Sequence, residues 1–214
     1  MERELRYERK FRIEALSVEA IQQIIRQHPA AFRKAFPDRQ VNSIYLDSPD
    51  YNNWQENILG WNERKKYRIR WYGTNLSKAN NPQLEIKSKH NELGWKEHVE
   101  VEEFNIHELG TVLKELGVRK AEIFQQVPKL LNSYERSYYI SFDQRFRLTL
   151  DRNMCFYRLM DAPFLPNNSL RDTAFILELK YAQKWDDLVD TITQYLPFRQ
   201  HKHSKYVEGI KLIS

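Results

Sequence analysis

The chain has 214 residues, enough for one domain with a substantial core or for two small ones. Apolar residues make up 41% and charged residues 29%, which excludes a disordered chain; 34 Lys+Arg against 29 Asp+Glu leave +5, too small an excess to demand a nucleic-acid surface. One cysteine, Cys155, excludes an intrachain disulfide and a zinc–thiolate cluster, and no apolar run approaches the roughly 20 residues that span a bilayer. The polar stretch Met1 to Lys10 does not have the form of a signal peptide, so the simplest expectation is a soluble cytoplasmic protein.

Strand patterns dominate the chain. Alternation, together with Val, Ile, Tyr, Phe and Trp content, predicts strands over 5–13, 41–48, 64–73, 82–90, 95–104, 134–142, 145–152, 155–160 and 174–182. After the first of these, Ser17 precedes Val18, Ile21, Ile24 and Ile25 at helical spacing. Thr74 to Asn81 reads as a loop before Pro82. Asn105 and Glu108 have capping-box spacing, and Ile106, Leu109, Val112, Leu113 and Leu116 follow as one stripe that Gly117 is expected to end. Phe142 to Gln144 is a predicted hairpin turn, and Ala162 to Asp172, with Pro163 and Pro166, a loop. A last stripe, Trp185, Leu188, Val189 and Ile192, starts near Lys184 and stops at Pro197. No repeat or low-complexity tract interrupts this order. The expectation is one α+β domain over 1–214, mostly antiparallel.

Six stretches carry charge at alternate positions: 8–12, 66–70, 85–89, 96–100, 145–147 and 178–180. Alternate residues of a strand share a face. Lys66, Arg68 and Arg70 therefore point one way, as do Glu85 with Lys87, Glu178 with Lys180, and Arg147 with Thr149 and Asp151. Guanidinium groups match phosphate oxygens with a planar fork of donors. Glu178 lies in the apolar run Phe175 to Tyr181, where a charge is costly unless paired or bound to a metal. A carboxylate beside basic groups suits a hard divalent cation that bridges phosphate oxygens. Asp151 reads as a metal ligand or, preferably, as a partner for an arginine. His201 and His203 have no third ligand nearby, whereas Ser204 and Lys205, at a turn into a helix, suit phosphate. No glycine-rich phosphate loop occurs, and the chain has only 6 Gly, so side chains would have to hold the phosphate.

The segments Tyr7 to Phe11, Val41 to Asp47, Lys66 to Gly73, Leu84 to Lys87, Tyr134 to Arg136, Leu150–Asp151, Leu177 to Lys180 and His203 to Tyr206, in that order, resemble the VTC domain. That domain is the polyphosphate polymerase domain of the vacuolar transporter chaperone complex and its bacterial relatives. It falls in the triphosphate tunnel metalloenzyme superfamily with the CYTH phosphatases and cyclases. The resemblance implies a closed antiparallel barrel of about eight strands, a tunnel with a charged lumen and helices packed outside. It implies Lys10, Arg68, Arg70, Lys87, Arg136, Arg147, Ser204 and Lys205 as binders of ATP, triphosphate or polyphosphate. Of these, Arg68, Arg70, Lys87, Arg136 and Arg147 would stabilise the transferred group. Glu178 would hold Mn²⁺ or Mg²⁺. The implied reaction is transfer of the γ-phosphoryl group of ATP to a polyphosphate chain. The alternatives are a metal-dependent triphosphatase and a non-catalytic polyphosphate- or nucleotide-binding module. Arg6 stands where CYTH members begin Glu-x-Glu-x-Lys, which favours the VTC branch. The sequence shows neither the sensor domain nor the membrane segments of the eukaryotic complex, so regulation and translocation are not implied for it, and a membrane partner is possible. Lys96, His98 and Glu100 match no family position and read as ordinary surface.

Overall fold

The computed structural model describes residues 6–90, 93–159 and 169–213. In chain order the elements are β1 (Arg6–Ile13), α1 (Val18–Gln27), β2 (Arg33–Asp47), α2 (Asn52–Leu59), β3 (Glu63–Tyr72), β4 (Lys78–Ala79), β5 (Gln83–His90), β6 (Leu93–Glu100) and β7 (Phe104–Asn105). They continue as α3 (Leu109–Arg119), β8 (Val127–Ile140), β9 (Phe146–Arg158), β10 (Ser169–Asp172), β11 (Phe175–Ala182), α4 (Asp190–Thr193) and α5 (Lys205–Ile213). The start of the expected loop at Ala162, with Pro163 and Pro166, lies outside the described residues.

The chain divides into two compact units, Met1–Arg39 with Glu135–Met154 and Asp172–His203, and Gln40–Tyr134 with Cys155–Arg171 and Ser204–Ser214. In the first unit β1 pairs antiparallel with β11, and β11 with β9. Arg9, Phe11, Leu177, Leu179, Leu148 and Leu150 share one face by register. Ile21 and Ile25 of α1 cluster with the five apolar residues of that face and with Val189, Ile192 and Leu196. Ser17 caps α1 by accepting from Ala20 N–H. In the second unit β2 pairs with β3, β3 with β5 and β5 with β6, all antiparallel. Ile69, Trp71, Leu84 and Ile86 form one apolar face, covered by Leu109, Leu113 and Leu116 of α3. The predicted capping box of Asn105 and Glu108 is present. No helix among the described residues is long and apolar enough to cross a membrane.

The closed barrel is overturned. The large sheet runs β1-β11-β9-β8-β2-β3-β5-β6, with β10 on β9, and among the described residues no pairing joins its two ends. Each end has a physical reason. The free side of β1 is taken by coil: Phe11 bridges Gln200, and His201 N–H donates to the Lys10 carbonyl at 2.8 Å. At the other end β6 exposes Trp95, Lys96, Glu97 and His98, and charge of this kind guards an edge against further pairing. The fold is therefore a mostly antiparallel open sheet with helices.

Smaller differences follow from packing. The helix α3 runs through Gly117 to Arg119, and Gly117 serves there as the residue that lets the Phe124 ring approach, since an added Cβ would come within 2.5 Å of it. The two strands expected over 145–160 are one, β9, which passes Asn153 at a φ of 53°. The stripe at 184–192 forms a short 3₁₀ helix and α4 rather than one long helix.

Gly209 of α5 faces Leu130 at 2.4 Å and Phe156 at 2.6 Å from an added Cβ, whereas nothing approaches Gly110 of α3. Gly209→Ala is expected to destabilise the fold by about 1–3 kcal/mol through overpacking. Gly110→Ala should stabilise it by about 0.5–1 kcal/mol. Thermal unfolding of the two variants checks the contrast.

Candidate functional site

The charged faces form two clusters, one in each unit. In the first unit the register sets three rows across β1, β11 and β9: Glu8–Lys180–Arg147, Lys10–Glu178–Thr149 and Arg12–Ile176–Asp151. Glu178 is the centre of the middle row and only 6% exposed. Its carboxylate lies 2.9 Å from Lys180 Nζ, 3.5 Å from Lys10 Nζ and 3.6 Å from Arg136 Nη2. Lys10 also donates to the His203 carbonyl at 3.1 Å and lies 4.0 Å from Glu8. Arg136 grips Asp151 with two parallel bonds of 2.5 and 2.6 Å, so Asp151 takes the arginine-partner role. Arg147 is exposed and, among the described residues, has no ion-pair partner. In the adjoining row Arg12 holds Asp172 at 2.7 and 2.9 Å. Burial raises the Asp172 carboxyl, but this guanidinium brings it below its ordinary range.

The donor set bears on whether a divalent cation fits here. No group of three or more His, Cys, Asp and Glu among the described residues could hold a metal by itself. His201 is exposed and His203 buried, and neither belongs to such a group among the described residues. Mg²⁺ and its like are commonly bound by one or two carboxylates plus substrate phosphates. Glu178, with Glu8 on the same face, supplies that minimum. Beside it Thr149 Oγ1 is buried and, among the described residues, has no hydrogen-bond partner. The residues fit a cation shared with phosphate, not a protein-only metal site.

In the second unit the rows across β2, β3, β5 and β6 are Tyr45–Arg68–Glu85–His98 and Ser43–Arg70–Gln83–Glu100, and Lys66–Lys87–Lys96 forms a third across β3, β5 and β6. Glu85 bridges the two arginines: Arg68 donates to Oε2 at 2.8 and 2.5 Å, and Arg70 Nη1 lies 3.1 Å from Oε1. Burial alone would raise the Glu85 carboxyl. The charges of Arg68, Arg70 and Lys96 overcome it and bring it down to about 2. Arg70 Nε and Ser43 Oγ, register partners, are both buried and, among the described residues, lack a hydrogen-bond partner. Lys66 Nζ donates to Ser204 Oγ at 2.9 Å, and Lys205 Nζ lies 4.7 Å from the centre of the Tyr134 ring.

Of the anticipated residues, Lys10, Arg136 and Glu178 come together in the first unit, with Arg147 on the same face. Arg68, Arg70, Lys87, Ser204 and Lys205 belong to the second. Lys96 is exposed, as its surface assignment expects, and it stands directly opposite Lys87. The spacing Lys96-x-His98 carried that signal, but only the register says which lysine it faces. Ser43 and Tyr45 carry no charge, so no pattern of charges could have singled them out, whereas alternation places Thr149 on the face of Arg147.

A family model for the VTC domain matches residues 5–214. No curated protein matches the sequence. The chain is similar to a candidate adenylate cyclase from Vibrio parahaemolyticus at 15% identity and a TM-score of 0.56, covering 97% of this chain and 98% of that one. It is similar to the PH1819 protein of Pyrococcus horikoshii OT3 at 12% identity and a TM-score of 0.56, covering 96% and 99%. A candidate adenylyl cyclase from Hippeastrum, described as having a dominant triphosphatase activity, aligns at 15% identity and a TM-score of 0.52, covering 96% of each chain. At these identities the likeness is one of fold.

Glu85 gives a pH prediction. A carboxyl lowered on folding stabilises the native state above its unfolded value, near 4.3, and that stability is lost as pH falls toward about 2. The full effect is about 3 kcal/mol. Glu85→Gln should be destabilised at pH 7, with the gap to the natural protein closing below about pH 4. Denaturant titrations at pH 7, 5 and 3 measure it.

Proposed function

This chain belongs to the VTC domain family, and from that premise we propose that it is a phosphotransferase. It binds ATP, triphosphate and polyphosphate, and it passes the γ-phosphoryl group of ATP to a polyphosphate chain. Residues 1–214 work as a single domain in this reading.

The observation that carries it is the row Lys66–Lys87–Lys96. Like charges directly opposite one another repel within a sheet, and a polyanion laid across them turns that repulsion into attraction. The neighbouring Arg68 and Arg70 present planar donors to phosphate oxygens. Glu85 holds both guanidiniums in place, so little reorganisation is needed when charge develops on the transferred group. Ser204 and Lys205 add a hydroxyl and an ammonium. Lys87, Arg68 and Arg70 are the phosphate-stabilising groups of the second unit, and Arg136 and Arg147 are those of the first, where Lys10 binds phosphate.

Glu178 would hold Mn²⁺ or Mg²⁺, and the bound cation would supply charge neutralisation to phosphate. The protein's own task is positioning and charge stabilisation, which is most of what phosphoryl transfer needs. A terminal phosphate as acceptor needs no strong general base, and none is assigned. The likeness to the Hippeastrum protein favours a second reading, in which water replaces the acceptor and triphosphate is hydrolysed.

Incubation with ATP and Mn²⁺ separates these readings. A phosphate polymer is expected, with Arg70→Ala and Glu178→Gln each lowering its formation on the order of 10²-fold. Release of orthophosphate or pyrophosphate alone would replace the first reading with the second. No turnover, with triphosphate affinity unchanged in Glu178→Gln, would leave a binding module.

A further inference from the structure

Two residues of the matched segments, Asp47 and Tyr206, have no part in the chemistry above, yet both are buried, at 0% and 2% exposure. Tyr206 Oη donates to Asp47 Oδ2 at 2.5 Å. The same carboxylate accepts from the backbone N–H groups of Ser48 at 2.7 Å, Asn53 at 2.9 Å and Trp54 at 3.0 Å. Asp47 is thereby fixed to the start of α2, and it offers Tyr206 a rigid acceptor. Burial, then the bond to Asp47, pushes the Tyr206 hydroxyl far above its ordinary range, so it remains a donor. The Tyr206 ring also stacks on Tyr45 at 5.2 Å, and Tyr45 Oη accepts from Arg68 Nη1 at 3.5 Å.

The two residues immediately before Tyr206 are Ser204 and Lys205. α5 begins at Lys205, and Glu208 N–H closes its first turn on the Ser204 carbonyl at 2.9 Å. A rigid first turn ties the direction of Ser204 Oγ and Lys205 Nζ to the placement of Tyr206. The rest of α5 is held independently: Val207 and Ile210 are buried, and Gly209 packs closely on Leu130 and Phe156. The Tyr206 hydroxyl is therefore not needed to keep the helix docked. What it adds is the rotation and height of the first turn.

We infer that the Tyr206–Asp47 bond is a positioning lock that sets Ser204 and Lys205 for phosphate, making Tyr206 a determinant of polyphosphate affinity. The lock rests on the phosphate reading of the second unit. Tyr206 touches no phosphate in this scheme; it acts through its two chain neighbours and through Tyr45.

The test measures binding of inorganic triphosphate to the full chain by calorimetry, beside thermal unfolding. Tyr206→Phe keeps the ring and its stack and should bind roughly tenfold more weakly. In a Ser204→Ala, Lys205→Ala background the same change should cost less than twofold, because the groups it positions are gone. An unchanged affinity in Tyr206→Phe, while Arg70→Ala loses binding, would overturn the lock alone. So would a full tenfold loss in the double-alanine background, which marks a general structural effect. A natural protein that binds no triphosphate overturns the phosphate reading and the lock with it. Should Tyr206→Phe fail to fold, Asp47→Asn keeps an acceptor where Asp47→Ala does not. The asparagine variant is expected to bind at least threefold more tightly, and equal affinities would overturn the lock.

Discussion

Period two in a β-strand allows no compromise: residues at alternate positions share a face, and the register decides which of them meet across strands. Lys66, Arg68 and Arg70 cannot be separated from Lys87 and Glu85, since Lys66↔Lys87 and Arg68↔Glu85 are register partners. On the opposite face Tyr67, Ile69, Leu84 and Ile86 are committed to the core by the same pairing. The first unit obeys the same rule. Lys10 and Glu178 face each other because Phe11 and Leu177 do. A slip of one residue would bury lysines and expose leucines, so core packing and concentration of charge stand or fall together.

Such concentration has to be moderated, and carboxylates within each cluster do it. Glu85 lies between Arg68 and Arg70, and Glu178 lies among Lys10, Arg136 and Lys180. Taking charges from water is expensive, and pairing offsets much of that. The carboxylates also restrain the cations in one geometry. Among the described residues, buried polar atoms of Thr149, Ser43 and Arg70 have no hydrogen-bond partner. Each of these groups can donate to an oxygen acceptor.

Much of this was legible in the sequence, because alternation survives in the strands that are apolar on one side only. β3, β5 and β11 read clearly for that reason, as did α1 and the Asn105–Glu108 cap. Other segments hid their state. The first half of β8 buries Leu130, Leu131, Asn132 and Ser133 alike, so no alternation marks it. Its polar groups are satisfied internally, by Asn132 donating to the Cys155 carbonyl at 3.0 Å and Ser133 donating to Asn42 at 2.6 Å. The overhang of β2 from Arg33 is largely exposed and carries Pro37, which argues against a strand until its neighbours are known. Closure of the sheet was inferred from resemblance. It failed on what period cannot specify: whether coil or another strand takes the free side of β1. The pairing of Lys96 with Lys87 and of Tyr206 with Asp47 needed register and tertiary contacts.

The most direct test of the central idea, that these in-register basic rows are made for a phosphate chain, is ligand-induced stabilisation. A ligand that binds only the native state raises the unfolding temperature in step with its concentration over its dissociation constant. Triphosphate should raise it for the natural protein, sodium chloride of equal ionic strength should not, and Lys87→Gln should lose most of the rise. A rise of the same size in Lys87→Gln, or none in the natural protein, would contradict the assignment.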